Sequence, residues 1–207
     1  MFVIDKLVEK IKSISGPNLF NPYTDVCPFH DKKNAAKIRE RNLRQYLEVV
    51  TQTNKIIIGQ SPGYIGCRRT GLPFTDNRHI KTVMEIYNIK DLKVATKSGK
   101  DKENSSYFIW KSLSKLNYHP FIWNVIPSHP FQENNQLSNR TPNQKDLAIS
   151  KNVIKYLLER GGFKDIYAIG KIAEKWLLTL GYPCKYIRHP SFGGSRIFAK
   201  QISFTFQ

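Results

Sequence analysis

Acidic residues are scarce in this chain. Its 207 residues contain 16 Asp and Glu against 33 Lys and Arg, a formal charge of +17 at pH 7. That imbalance favours a polyanionic partner, DNA or RNA first, over an acidic protein or a membrane surface; the bland alternative is a solvated, Lys-rich surface. Cysteine is scarce too. Cys27, Cys67 and Cys184 are odd in number and far apart, which argues against a disulfide framework and for a reducing compartment. No apolar run approaches the roughly 20 residues that span a bilayer. At the N-terminus, Val3, Leu7, Val8, Ile11 and Ile14 recur at helical spacing between charged residues, so the segment reads as an amphipathic helix and not a signal peptide. Repeats and low-complexity segments are missing. Cys27-Pro-Phe-His30 is one plausible metal-ligand pair, but no second pair stands at zinc spacing, so no metal and no cofactor is expected.

Helical and strand patterns alternate. Helices are expected at Phe2–Ser13, Ala35–Val50, Ile80–Ile86, Tyr107–Leu116, Gln144–Arg160 and Ile172–Leu180, with Ile38, Leu43, Leu47 and Val50 facing inward in the second. Continuous apolar runs mark buried strands at Lys55–Ile58, Phe121–Ile126, Asp165–Ile169 and Tyr186–Ile187. Gly16–Asp31 is broken by Pro17, Pro22 and Pro28. Asp91–Ser106 is polar and reads as an exposed insertion, and Pro127–Pro142 as a long loop of the kind that often carries function. This order implies one α/β domain over residues 1–207, with a short, mainly parallel four-stranded sheet.

Two loops at strand ends stand out. Gly59-Gln60-Ser61-Pro62-Gly63-Tyr64-Ile65-Gly66, continuing to Thr70-Gly71-Leu72-Pro73-Phe74-Thr75-Asp76, follows the first strand. Arg188-His189-Pro190-Ser191-Phe192-Gly193-Gly194 follows the last. Ligands of open α/β sheets bind outside the carboxyl ends of strands, so these loops form two walls of one site. The first is neither a Walker loop nor a dinucleotide-binding loop by spacing. Asn124, inside a buried run, needs partners for its amide, which a neighbouring loop or a base edge would supply.

These residues resemble the uracil-DNA glycosylase superfamily. Gly59-Gln60-Ser61-Pro62-Gly63 with Thr70-Gly71-Leu72-Pro73-Phe74 is similar to its first motif, His189-Pro190-Ser191 to its second, and Asn124 stands where it places a base-reading Asn. The resemblance implies a three-layer α/β/α fold and hydrolysis of the N-glycosidic bond of a flipped-out uracil or 5-modified pyrimidine in DNA. It further implies stacking by Phe74, edge reading by Asn124, a pocket shaped by Gly63 and Tyr64, and a hydrogen bond from His189 to the leaving base, assisted at Gln60 and Ser61. Arg188, Ser191, Arg68, Arg69, Gly193 and Ser195 would contact the DNA backbone.

The departures from the family pattern are informative. Ser61 replaces the water-positioning Asp or Asn of several branches, so Asp76 is expected to activate water, unless it only caps the next helix. Gly63 replaces a Tyr, which would leave room for bulkier 5-substituents. No lysine is placed for lyase chemistry, implying a monofunctional enzyme. Removal of a modified base from foreign DNA in defence, and an inactive DNA-binding member of the fold, are the alternatives. A monomer is expected in the cytoplasm of a bacterial or phage-like setting, associated with the nucleoid through DNA.

Overall fold

The computed structural model describes residues 2–99 and 101–206; the side chain of Val50, expected to face inward, lies outside the described residues. Four parallel strands form the central sheet: β2 (Lys55–Gly59), β3 (Phe121–Asn124), β5 (Asp165–Ile169) and β6 (Lys185–Ile187), in the spatial order β3-β2-β5-β6. Ile56 pairs with Phe121 and Ile166, which places Gly59 opposite Asn124 at the carboxyl edge. Ile56, Ile57 and Ile58 are all buried, as a strand covered on both faces requires. Each parallel step returns through helices: α3 (Cys67–Thr70), α4 (Ile80–Tyr87) and α5 (Asn104–Leu113) between β2 and β3, α6 (Gln144–Arg160) before β5, and α7 (Lys171–Thr179) before β6. This is the expected α/β fold with a helix-flanked, four-stranded parallel sheet.

α1 (Ile4–Lys12) buries Leu7, Val8 and Ile11 and packs with α6 and with α2 (Ala35–Leu47). Ile14 is buried as its spacing implied. In α2 the expected inward positions Leu43 and Leu47 are buried, whereas Ile38 is only half-buried; Arg39 and Asn42 go inside instead. Among the described residues no helix is long and apolar enough to cross a membrane.

Three parts of the chain differ from the sequence expectation. The insertion at 91–106 is not simply exposed: Leu92, Ala95, Thr96 and Ser106 are buried, Thr96 bridges Asp31, and α5 begins at Asn104, not Tyr107. Its polar residues are consumed in pairs that no local pattern reveals, among them Asp101 with Arg69 and Asn77. The long loop contains β4 (His129–Pro130), which pairs antiparallel with β1 (Leu19–Phe20). Finally, α8 (Ser195–Phe206) follows the second loop, packs against α5 and β6, and buries Phe198, Ile202 and Phe206.

The irregular segment from Gly16 to Asp31 is held by one buried cation. Arg39 donates to the carbonyls of Pro22 at 2.5 Å and Asp25 at 2.6 Å and to Asp31 Oδ2 at 2.9 Å, and Cys27 N–H donates to the same carboxylate at 2.8 Å. Neither partner of the Arg39–Asp31 pair is exposed by more than 2%. Arg39→Met strands the Asp31 carboxylate in the interior and is expected to cost about 3–5 kcal/mol in denaturant unfolding; a loss under about 1 kcal/mol would mean water reaches Asp31.

Candidate active site

The carboxyl ends of β2, β3 and β6 converge as the two loops were expected to. A cavity of about 290 Å³ is lined by Gln60, Ser61, Pro62, Gly63, Cys67 and Phe74 from the first loop and by His189, Ser191 and Phe192 from the second. Glu103 and Ser105 of the 91–106 segment and Asn139 and Arg140 of the long loop complete the lining. The long loop therefore contributes two residues to the wall of this cavity.

Phe74 is seated over Gly59, at the end of β2. A Cβ there would collide with the ring of Phe74 and would lie 2.9 Å from Asn124 Oδ1, so only glycine lets the ring and the amide meet at the strand end. Phe74 has φ +53°, an uncommon conformation for a bulky residue. It is held there because its carbonyl accepts from Ser106 Oγ at 2.7 Å and Trp110 Nε1 at 3.0 Å, both on α5. Asn124 is 3% exposed and lies behind Phe74, outside the residues that line the cavity, and its Oδ1 has no hydrogen-bond partner among the described residues. A buried, unpaired amide oxygen is costly, and a ligand N–H arriving beside Phe74 would satisfy it.

The second loop is tightly wound. Phe192 has φ +52° and Gly193 φ +73°, and a Cβ on Gly194 would collide with the carbonyl of His189. Ser191 N–H donates to His189 Nδ1 at 3.2 Å, which leaves the ring proton of the neutral imidazole on Nε2. Burial, with Arg188 beside it, pushes the His189 pKa down to about 4, so the ring is neutral at pH 7. Arg188 holds this loop: its guanidinium donates to the carbonyls of His189 and Phe192, each at 3.2 Å.

Several expected site residues stand elsewhere. Asp76 is fully buried and does not line the cavity. It caps the turn at Asn77–His79, accepting from the backbone of Arg78 at 3.1 Å and His79 at 3.2 Å, from His79 Nδ1 at 2.7 Å, from Arg78 Nη2 at 3.2 Å and from Glu103 N–H at 2.7 Å. Burial opposes its charge, but these donors outweigh it and hold the carboxyl below its ordinary pKa. With both oxygens so engaged, Asp76 has no lone pair directed at a water in the cavity; the capping alternative holds.

Arg68 and Arg69 are only 2% and 6% exposed, which corrects the backbone-clamp expectation. Arg68 bonds His129 Nδ1 and the Gln136 carbonyl and stacks on Phe20; Arg69 pairs with Asp101 and lies over the Tyr64 ring, 4.6 Å from its centroid. Tyr64 does not line the cavity either: its hydroxyl meets His30 Nε2 at 3.1 Å and its N–H donates to Asn139 Oδ1 at 2.8 Å. Gly63 does line it, but the space it frees is occupied, because a Cβ there would collide with Glu103 Oε1. The expected opening for bulky 5-substituents is filled by that carboxyl. Gly193 is exposed at the loop tip, and Ser195 lines a neighbouring groove between α5 and α8 with Lys111, Lys115 and Arg196.

Sequence reading missed Glu103, Ser105, Asn139, Arg140, Cys67 and Phe192. Phe192 is 98% exposed despite its size, a fact its motif neighbours do not disclose. Burial raises the Cys67 thiol pKa well above its ordinary value, so it presents a neutral thiol to the cavity and not a nucleophile. Among the described residues no cluster of three or more His, Cys, Asp or Glu could hold a metal ion.

Comparison with known proteins agrees with the fold. The crystal structure of wild-type SMUG2 from Pedobacter heparinus is similar, with a TM-score of 0.63 at 17% sequence identity over 97% of this chain and 95% of that one, a likeness of fold. No curated protein matches the sequence. The family model for the uracil DNA glycosylase superfamily matches residues 47–203, from the end of α2 through most of α8 and including both strand-end loops. The chain belongs to the uracil DNA glycosylase superfamily.

Proposed function

We propose that this protein hydrolyses the N-glycosidic bond of uracil flipped out of DNA into the cavity between the two loops. The observation that carries the reading is the pairing of Phe74, an aromatic ring that lines the cavity, with the buried Asn124 amide behind it, whose oxygen has no hydrogen-bond partner among the described residues. Uracil presents N3–H and O4 side by side, which match the Asn124 Oδ1 acceptor and Nδ2 donor while the ring stacks on Phe74. Cytosine presents the inverted pattern at those atoms and would leave Oδ1 facing an acceptor.

As the C1′–N1 bond breaks, its electron pair leaves with the base and charge gathers on O2. The Nε2–H of a neutral His189 is a fixed donor for that charge and needs no reorganisation at the moment of reaction. The backbone amides at Gln60 and Ser61 supply further donors from the opposite wall, and Ser191 supports the phosphate beside the scissile nucleotide. Phe192, exposed at the rim, is placed to enter the stack and hold the space the base vacates. The filled space at Gly63 favours a base without bulk at its 5-position, and therefore uracil over larger 5-modified pyrimidines.

The DNA backbone continues along the groove between α5 and α8. It has a volume of about 460 Å³ and is lined by Lys111, Lys115 and Arg196 among others. These exposed cations, not the buried Arg68 and Arg69, are assigned to phosphate contacts.

The test is base release. Oligonucleotides carrying uracil, 5-hydroxymethyluracil, hypoxanthine or a thymine mismatch are incubated with the protein and then cleaved with alkali at abasic sites. Strand breaks are expected at uracil; breaks at no base alongside tight DNA binding would favour the inactive binding-module reading. Asn124→Asp is expected to cut uracil release by about 10- to 100-fold, because the base's O4 loses its amide donor; unchanged release and selectivity would remove Asn124 from the pocket. Combined alanine substitution of Lys111, Lys115 and Arg196 is expected to flatten the log–log salt dependence of DNA binding by about 0.9 for each phosphate no longer neutralised. An unaltered slope would place the DNA elsewhere.

A further inference from the structure

We propose that Glu103 is the residue that activates the attacking water, doing the work of the carboxylate or amide for which Ser61 stands in the first motif. The inference rests on the glycosylase reading above and names the part of the site that reading leaves open.

Three observations carry it. First, Glu103 is the one carboxylate among the described residues lining the cavity; Asp76 behind it is buried and fully engaged, and Asp101 is paired with Arg69. Second, two glycines of the first loop make room for it. A Cβ on Gly63 would collide with Oε1, and one on Gly66 with Oε2, so the carboxylate lies against the loop backbone at the edge of the cavity. The side chain thus lies against the same loop segment that presents Ser61. Third, Glu103 shares one cavity with Phe74, Ser61, His189 and Ser191, so a base stacked on Phe74 with His189 at its O2 would have its glycosidic bond in the space that Glu103 lines.

Glu103 is also held in place. Its N–H donates to Asp76 Oδ2 at 2.7 Å, fixing the first turn of α5, and Ser106 Oγ lies 3.0 Å from Oε2. Desolvation, with the charge of Asp76 in support, raises its pKa to about 7, against the hydrogen bond from Ser106 and the proximity of His79. Cys67 of α3 is neutral, and Arg140, which also lines the cavity, is paired with Asp146. A base with a pKa near the working pH accepts a proton most effectively.

In the reaction, the water oxygen bonds to C1′ as the C1′–N1 bond breaks, and that bond's electron pair leaves with the base, whose O2 charge meets His189 Nε2–H. The proton lost by the water goes to Glu103 and from there to solvent, and the departing base anion takes one proton from solvent. The products are a C1′ hydroxyl and the free base.

The experiment compares single-turnover uracil release by wild type and Glu103→Gln across pH 5.5–8.5, roughly bracketing the pKa. Wild-type rate should climb through about 7 or above, because bound DNA phosphates further disfavour the carboxylate. Glu103→Gln should be slower by about 10²- to 10⁴-fold and lack that limb. DNA affinity should be kept. Its stability above pH 7 should rise, because a carboxyl with a raised folded pKa loses stability as pH climbs from its unfolded value through about 7, and Gln has no such loss. Retained activity with the ascending limb intact would overturn the assignment. So would a loss of activity accompanied by a fall in stability and no limb in the wild type, the mark of a purely structural role. A wild type that releases no uracil at any pH would instead overturn the functional reading itself. Should Glu103→Gln fail to fold, Gly63→Ala displaces the same carboxylate without changing charge and is expected to lose rate in the same manner; full wild-type activity there would count against Glu103.

Discussion

The site depends on one buried carboxylate. Asp76 ends the first loop, and its two oxygens gather donors from the turn that follows it and from Glu103, the residue that immediately precedes α5. That last bond has the longest reach, since it ties residue 76 to residue 103 across the whole intervening chain. With α5 seated, Ser106 and Trp110 hold the Phe74 carbonyl and Glu103 enters the cavity. A charged group in a dry interior is tolerable only when its lone pairs are filled, and here the filling is what assembles the walls.

The same logic explains why glycines dominate the first loop. Gly59 yields its side-chain volume to Phe74 and Asn124, and Gly63 and Gly66 yield theirs to Glu103. These are positions vacated so that distant residues can enter, and not places chosen for flexibility. The resulting cavity sits in a chain of charge +17 yet has a carboxyl in its wall. In the proposed mechanism the surface cations would draw a polyanion in, and the acid inside would serve the chemistry. Opposite it, His189 is kept neutral by burial and by Arg188, so burial pushes the Glu103 carboxyl up and the imidazole down, each toward its neutral form.

Much of the architecture was legible in the sequence, because parallel strands buried on both faces are written as apolar runs such as Ile56-Ile57-Ile58 and Phe121-Ile122-Trp123. The two strand-end loops, Phe74, Asn124 and His189 were legible as motifs. What escaped detection is non-local. Arg68 and Arg69 read as surface cations, yet Phe20, Tyr64, His129 and Asp101, drawn from four separate segments, enclose them. Asp76 read as the water-activating acid with capping as the alternative, and the donors gathered around it show the cap. Glu103 lay in a Lys-rich stretch whose composition suggests solvent, and nothing local shows that it faces a pair of glycines some forty residues earlier. The strands β1 and β4 are two residues each and carry no periodicity to read.

The most direct measurement is a crystal structure with duplex DNA bearing a uracil nucleotide whose glycosidic bond is stabilised by a 2′-fluoro substituent. The base should be extruded from the duplex and stacked on Phe74, with N3–H on Asn124 Oδ1, O2 on His189 Nε2, and a water between Glu103 and C1′. A base left in the helix, or one seated with its Watson–Crick edge away from Asn124, would contradict the account.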